Sequence, residues 1–204
     1  MKSLIALSLA AALLSGCTAI MPSRDAAGLK IASWNLEHLA ERDGEGCSPR
    51  TEVNYAELRR HAEALDADVV AFQEVQSQAA AERVFDPAIY DVVMSTRPPS
   101  TRSGECRGRP GLFGDWNRRL ASRNDAFLTD LNDGDPQGST LTLASGDRPA
   151  GCKARYREFI DFIATGAGAT ARVQPGLFEE YLYGGAPEAE HPSDHCPITV
   201  RIGR

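Results

Sequence analysis

The sequence predicts a layered α/β or α+β fold in one globular domain. A chain of 204 residues that is 42% hydrophobic and 25% charged can bury a sizeable core and is neither disordered nor fibrous. Apolar strand-like runs outnumber helical patterns along it. The helical patterns fall between those runs, which is the arrangement that packs helices against sheets.

Residues 1–17 read as an export signal. Lys2 supplies a positive start, and Leu4–Leu14 is an apolar stretch of eleven residues, too short to span a bilayer as a helix. It closes on "LSGC". Small residues before a cysteine at that place resemble the lipidation box of a bacterial lipoprotein. The resemblance implies cleavage before Cys17 and lipid chains on it, with the protein anchored in the cell envelope outside the cytoplasmic membrane. Residues 18–28 form a small-residue tether, and 29–204 the folded domain.

The domain opens with "LKIASWNL", 29–36, a mostly apolar strand. In 54–65, Tyr55, Leu58, Ala62 and Leu65 recur at helical spacing with charge on the other face. "ADVVAFQEV", 67–75, is a near-continuous apolar run and reads as a buried strand. A helix over 79–85 and a strand over 90–95 follow. Residues 96–111 are rich in Pro, Gly, Ser and Arg and predict a loop. "LFGDWN" is a short strand, and "NDAFLTDLN" a helix with Asn124 as its cap. "STLTLAS", "EFIDFIAT" and the final "PITVRI" are strands.

Charge and cysteine usage narrow the function. The net charge of −6 excludes a broad basic surface for non-specific duplex binding. Seven arginines between 97 and 123 stand against Glu105 and Asp115, a local balance of +5 that suits either a solvated loop or the collection of an anionic substrate. Beyond Cys17, the four cysteines Cys47, Cys106, Cys152 and Cys196 suggest disulfides, with three connectivities open. His191 and His195 have the spacing of a helical zinc pair. Pro192 and Pro197 argue against a helix that presents both.

Five separate apolar segments carry a polar residue at or near an end. These are Asn35, Glu74, Asp115 with Asn117, Asp161, and Asp194 with His195. A carboxylate inside an apolar run, as at Asp161 and Glu74, is costly unless paired or metal-bound. If these ends meet, they make a cluster of hard oxygen donors with one imidazole, suited to Mg2+ or Mn2+.

The stretches "SWNLEHL", "DADVVAFQEV", "LFGDWNR", "IDFI" and "SDHCPITV", in that order, resemble the endonuclease/exonuclease/phosphatase superfamily. The resemblance implies a two-layer β-sandwich flanked by helices, as in deoxyribonuclease I-like proteins, which cleaves phosphoesters with one or two divalent cations. It implies Glu74 as the main metal ligand, with Asn35 beside the ion and Asp194 binding or neighbouring it. Asp115 would orient the attacking water, Asn117 would bond a phosphoryl oxygen, and His195 would be the catalytic imidazole oriented by Asp161. The substrate class is a phosphoester: nucleic acid, phospholipid head group or small molecule.

The chain also departs from that family. Glu74 and Asp115 lie only 41 positions apart, and no histidine occurs between His61 and His191. Family members place several more strands there, one carrying a second catalytic His. The sandwich is therefore expected to be incomplete near 96–112. Loss of one general acid lowers the rate by roughly 10²–10⁴. Two expectations follow: a divalent-metal phosphoesterase, or a shortened and impaired relative that acts as a binding lipoprotein.

Overall fold

The computed structural model describes residues 28–96, 114–115, 118–121, 125–135, 137, 140–173 and 177–203. Cys17, Asn117, Cys106 and most of the arginine-rich stretch lie outside the described residues. The fold is mixed α/β, built on a four-stranded sheet in which Val69–Val75, Leu29–Leu39, Ile198–Ile202 and Glu179–Glu180 lie side by side in that order.

Strand β1 (Leu29–Leu39) is the longest and lies inside the sheet. Helix α1 (Glu52–Leu65) follows, opened by Thr51, whose backbone N–H donates to Asn54 Oδ1 at 2.9 Å. It ends on Asp66, a left-handed residue with φ 43°. The chain returns as β2 (Val69–Val75), parallel to β1 with Ile31 opposite Val69 and Asn35 opposite Gln73. This is a β-α-β unit, and α1 lies on the face its apolar stripe covers.

The strand expected over 90–95 does not form. Residues 91–96 carry no strand or helix. Val92 packs against the core, but Val93 is 83% exposed. A β-prone run makes a strand only where a partner supplies ladder hydrogen bonds. Strand β2 has β1 on one side and, among the described residues, no strand on the other. The run reads as a buried strand; among the described residues it is an edge, with Gln73 and Val75 buried but Val69 47% exposed.

A short helix α2 (Gln78–Glu82) covers the β2 end. Two small ribbons follow: β3 (Gly114–Asp115) with β5 (Asp161–Phe162), and β4 (Leu141–Leu143) with β6 (Ala164–Gly166). The single strand expected over "EFIDFIAT" is thus split between two partners. Helix α3 (Ala126–Leu131) is capped by Asp125, whose side chain accepts from Phe127 N and Leu128 N; Asn124, the cap expected from sequence, lies outside the described residues. After α4 (Ala167–Thr170) come β7 (Glu179–Glu180) and β8 (Ile198–Ile202). Strand β8 runs antiparallel to β1, with Ser33 opposite Ile198 and Leu29 opposite Ile202.

The sheet buries both faces. Trp34, Leu36 and Leu39 face Tyr55 and Leu58 of α1 and Phe85. Ile198 and Val200 face Phe162, Ile163, Phe159 and Phe178, the ribbon side. Each such fully buried side chain contributes about 1.5–3 kcal/mol. Alternation along β1 sends Ser33 and Asn35 to the ribbon side with their cross-strand partner Gln73. All three are buried. Polar side chains on that inner face mark the end of the sheet where the candidate site lies.

Candidate active site

Strands β1 and β2 lose register just past Asn35. Between the pairs Asn35–Gln73 and Leu39–Val75, β1 has three residues where β2 has one. The excess is absorbed by left-handed backbone at non-glycine residues: Glu37 (φ 47°), His38 (φ 55°) and Glu74 (φ 57°). Such conformations are uncommon for these residue types and persist only where the surroundings hold them. The bulge sets His38 Nδ1 3.1 Å from Glu74 Oε2.

Hydrogen bonds, the Ser193 one buried, join this bulge to the segment before β8. Ser193 Oγ donates to the Asn35 carbonyl at 2.8 Å, and Asp194 N donates to Glu37 Oε2 at 3.0 Å. Arg50, only 6% exposed, donates to the carbonyls of Glu37 (2.9 Å) and Pro192 (3.2 Å), with its Nη2 3.8 Å from Glu37 Oε2. Burial holds its guanidinium below the ordinary value against the raising effect of Glu37. Tyr183 Oη accepts from Trp34 Nε1 at 2.9 Å and donates to the His195 carbonyl at 2.5 Å. Burial raises its phenol far above the normal range.

The backbone so fixed presents His195. Its Nδ1 lies 2.7 Å from Asp161 Oδ2, and its Nε2 lies 3.8 Å from Asp194 Oδ1. A carboxylate only accepts, so Nδ1 donates its hydrogen to Asp161. Asp161 is buried on β5, where its backbone pairs with that of Asp115 on β3. The costly carboxylate of the "FIDFI" run thus has an imidazole partner.

Asp194 is held above the usual carboxylate range by burial, reinforced by the nearby charges of Glu37 and Glu74 and opposed by His195 and Lys153. Negative charge is therefore concentrated where β1, β2 and the β8 entrance meet. Oxygen atoms at Asn35, Glu74 and Asp194 match a hard dication in donor type, although Asn35 Oδ1 accepts from Glu37 N at 2.8 Å and Glu74 already faces His38. Their ligand atoms are not drawn together in advance. The trio within 4.8 Å of one another among the described residues is Cys152, His191 and Cys196. Cys152 and Cys196 are joined as a disulfide, so their sulfurs are not thiolate ligands. Cys47 is also disulfide-bonded.

Beside His195 opens a cleft of about 350 Å³, lined by Asp161, Asp194 and His195 together with Arg119, Lys153, Tyr156 and Phe159. Glu180 at its wall accepts from Gly151 N (2.7 Å) and Cys152 N (2.9 Å); burial nevertheless raises its carboxyl. Asn35 and Glu74 do not line this cleft; Asn35 is linked toward it through Glu37, whose N–H donates to Asn35 Oδ1 and whose carboxylate accepts from Asp194 N.

Sequence reasoning singled out Asn35, Glu74, Asp161, Asp194 and His195, which sit at one end of the sheet. It missed Glu37, His38, Arg50, Tyr183 and Ser193. Glu37 and His38 stand inside the quoted "NLEHL", but left-handed backbone at them has no sequence signal.

The sequence matches no protein-family model, and no curated protein is significantly similar to it. Function must therefore be argued from the site.

Proposed function

We propose that the chain is a divalent-cation-dependent phosphoesterase of the endonuclease/exonuclease/phosphatase type. The 2.7 Å Asp161–His195 pair, lying against Asp194 at the sheet end that carries Asn35 and Glu74, is the observation that carries this reading. His195, which lines the cleft, in its neutral form takes the proton from an attacking water at Nε2. Asp161 fixes the tautomer and stabilises the imidazolium that results. Ser193 and Tyr183 hold the His195 backbone against drift. Asp115, paired through its backbone to Asp161, is assigned the orientation of the water, and Asn117 a hydrogen bond to a phosphoryl oxygen.

Glu74, Asn35 and Asp194 would hold Mg2+ or Mn2+. When bound, the ion supplies charge stabilisation at the phosphoryl oxygens. The cleft has the size of a small-molecule site, which together with the net charge of −6 favours a compact phosphoester over a long duplex. Arg119 and Lys153 on its wall suit an anionic group, although each also faces an acid, Glu158 at 2.9 Å and Glu188 at 3.7 Å. We infer that the two ribbons are what this chain keeps of the second sheet of a sandwich. Lipid on Cys17 would attach the protein to the membrane outside the cytoplasm; no helix among the described residues is long and apolar enough to cross one.

The test is hydrolysis of a chromogenic phosphodiester by purified protein with Mg2+ or Mn2+. Wild type should exceed His195→Ala by at least about 10²-fold. Equal rates end the enzyme reading. Ribbons only two or three residues long favour a second reading, an impaired relative that binds without turnover. A cooperative melt with ligand stabilisation but no hydrolysis would select it.

A further inference from the structure

We propose that His38 is a metal ligand, pairing its imidazole nitrogen with the Glu74 carboxylate. The pair would give the site a mixed nitrogen–oxygen character and a preference for Mn2+ over Mg2+. This rests on the metal-dependent reading above and goes beyond it: no histidine of the first strand was assigned there.

The geometry comes from the bulge. His38 and Glu74 lie on neighbouring strands, and left-handed backbone at both turns their side chains toward each other. His38 Nδ1 and Glu74 Oε2 stand 3.1 Å apart. Two cis ligands on an octahedral ion, each at about 2.1 Å, are separated by about 3.0 Å. The pair therefore already holds the bite of one ion, which would take the place of the hydrogen between the two atoms. Both side chains are about a quarter exposed, at 27% and 22%, so a hydrated ion can reach them. The Glu37 carboxylate is engaged elsewhere, accepting from Asp194 N and Ser48 Oγ and standing 3.8 Å from Arg50, so it does not compete for these atoms.

Donor type gives the selectivity. Mg2+ favours oxygen and surrenders water reluctantly, whereas an imidazole is accepted readily by first-row transition ions. A site of Glu74, Asn35 and Asp194 alone would be a hard oxygen site. Adding His38 moves it along that series.

The experiment titrates the full chain with Mn2+ and with Mg2+, reading thermal melts. It also records the electron spin echo modulation of bound Mn2+, in which a coordinated imidazole appears as nitrogen coupling. The first variant is His38→Asn, because Asn tolerates the left-handed backbone at φ 55° and so preserves the bulge. His38→Gln is the second. Wild type should bind Mn2+ more tightly than Mg2+ and show nitrogen coupling. Both variants should lose that coupling and about 10–100-fold in Mn2+ affinity, with Mg2+ affinity much less changed. His195→Gln should keep the coupling, which identifies the histidine. Mn2+ binding that depends on Glu74 but shows no nitrogen coupling, or coupling that survives in both His38 variants, overturns the proposal and leaves the metal reading intact. Absence of any melting shift with either ion in wild type, with a cooperative melt present, overturns the metal reading itself and this proposal with it.

Discussion

Replacing Tyr183 by Phe removes one oxygen and keeps the ring. That oxygen accepts from Trp34 Nε1 at 2.9 Å and donates to the His195 carbonyl at 2.5 Å. Tyr183 is 3% exposed and Trp34 1%, so water cannot take over the indole bond. The ring contacts, 4.9 Å to His61 and 6.2 Å to Trp34 between centroids, survive the change. Each buried group left without a partner costs about 1–3 kcal/mol. Two such groups, partly relaxed, cost about 3 kcal/mol, equivalent to a fall of roughly 6–12 °C in melting temperature for a chain of this size. Urea unfolding followed by tryptophan fluorescence measures this, and the denaturant slope should stay constant because the exposed area is unchanged. A loss below about 1 kcal/mol would refute the claim that this hydroxyl braces the His195 backbone.

Asp161→Asn should lower kcat by roughly 10²–10⁴ with little change in KM, because an amide can donate to Nδ1 and favour the wrong tautomer; a loss under threefold in a phosphodiesterase assay would exclude the pair from the reaction. The Cys152–Cys196 bridge closes a separation of 44 residues, so the double Cys→Ser variant should lose about 4 kcal/mol in chemical denaturation, and a change within about 1 kcal/mol would deny the bridge a stabilising role. Burial, with the Arg60 charge adding, holds the His61 imidazole below its ordinary value. The folded state thus favours the neutral ring, and this contribution is complete above about pH 6.5 and lost as pH falls through the lower folded value. Wild type minus His61→Gln stability should shrink on acidification, and a difference that is flat or grows toward low pH would contradict the assignment.

Much of the central sheet was legible because single residues there answer to one dominant force. The apolar stripe of α1 and the alternation of β8 each specify a buried face, and both elements form close to where they were expected. Asp161 was legible for a different reason: a carboxyl among Phe159, Ile160, Phe162 and Ile163 demands a partner, and His195 provides it. What failed depends on partners far along the chain. Residues 90–95, apolar and β-branched at their centre, read as a strand yet form no ladder. "EFIDFIAT" reads as one strand but serves two ribbons. Arg50 looks like any loop arginine and is instead buried, tying Glu37 to Pro192. Left-handed backbone at Glu37, His38 and Glu74 follows from a register mismatch that pairing creates, so no local pattern announces it.

The open flank of β2 bears on how the molecule behaves in company. Backbone amides and carbonyls along Val69–Val75 have no ladder on their outer side among the described residues. Val69, Ile89 and Val93 crowd apolar surface around that margin. Such a border recruits any extended segment that meets it, including the same border of a second molecule. Crowding therefore works against the monomer, and dilute preparations will report on the single chain more faithfully than concentrated ones.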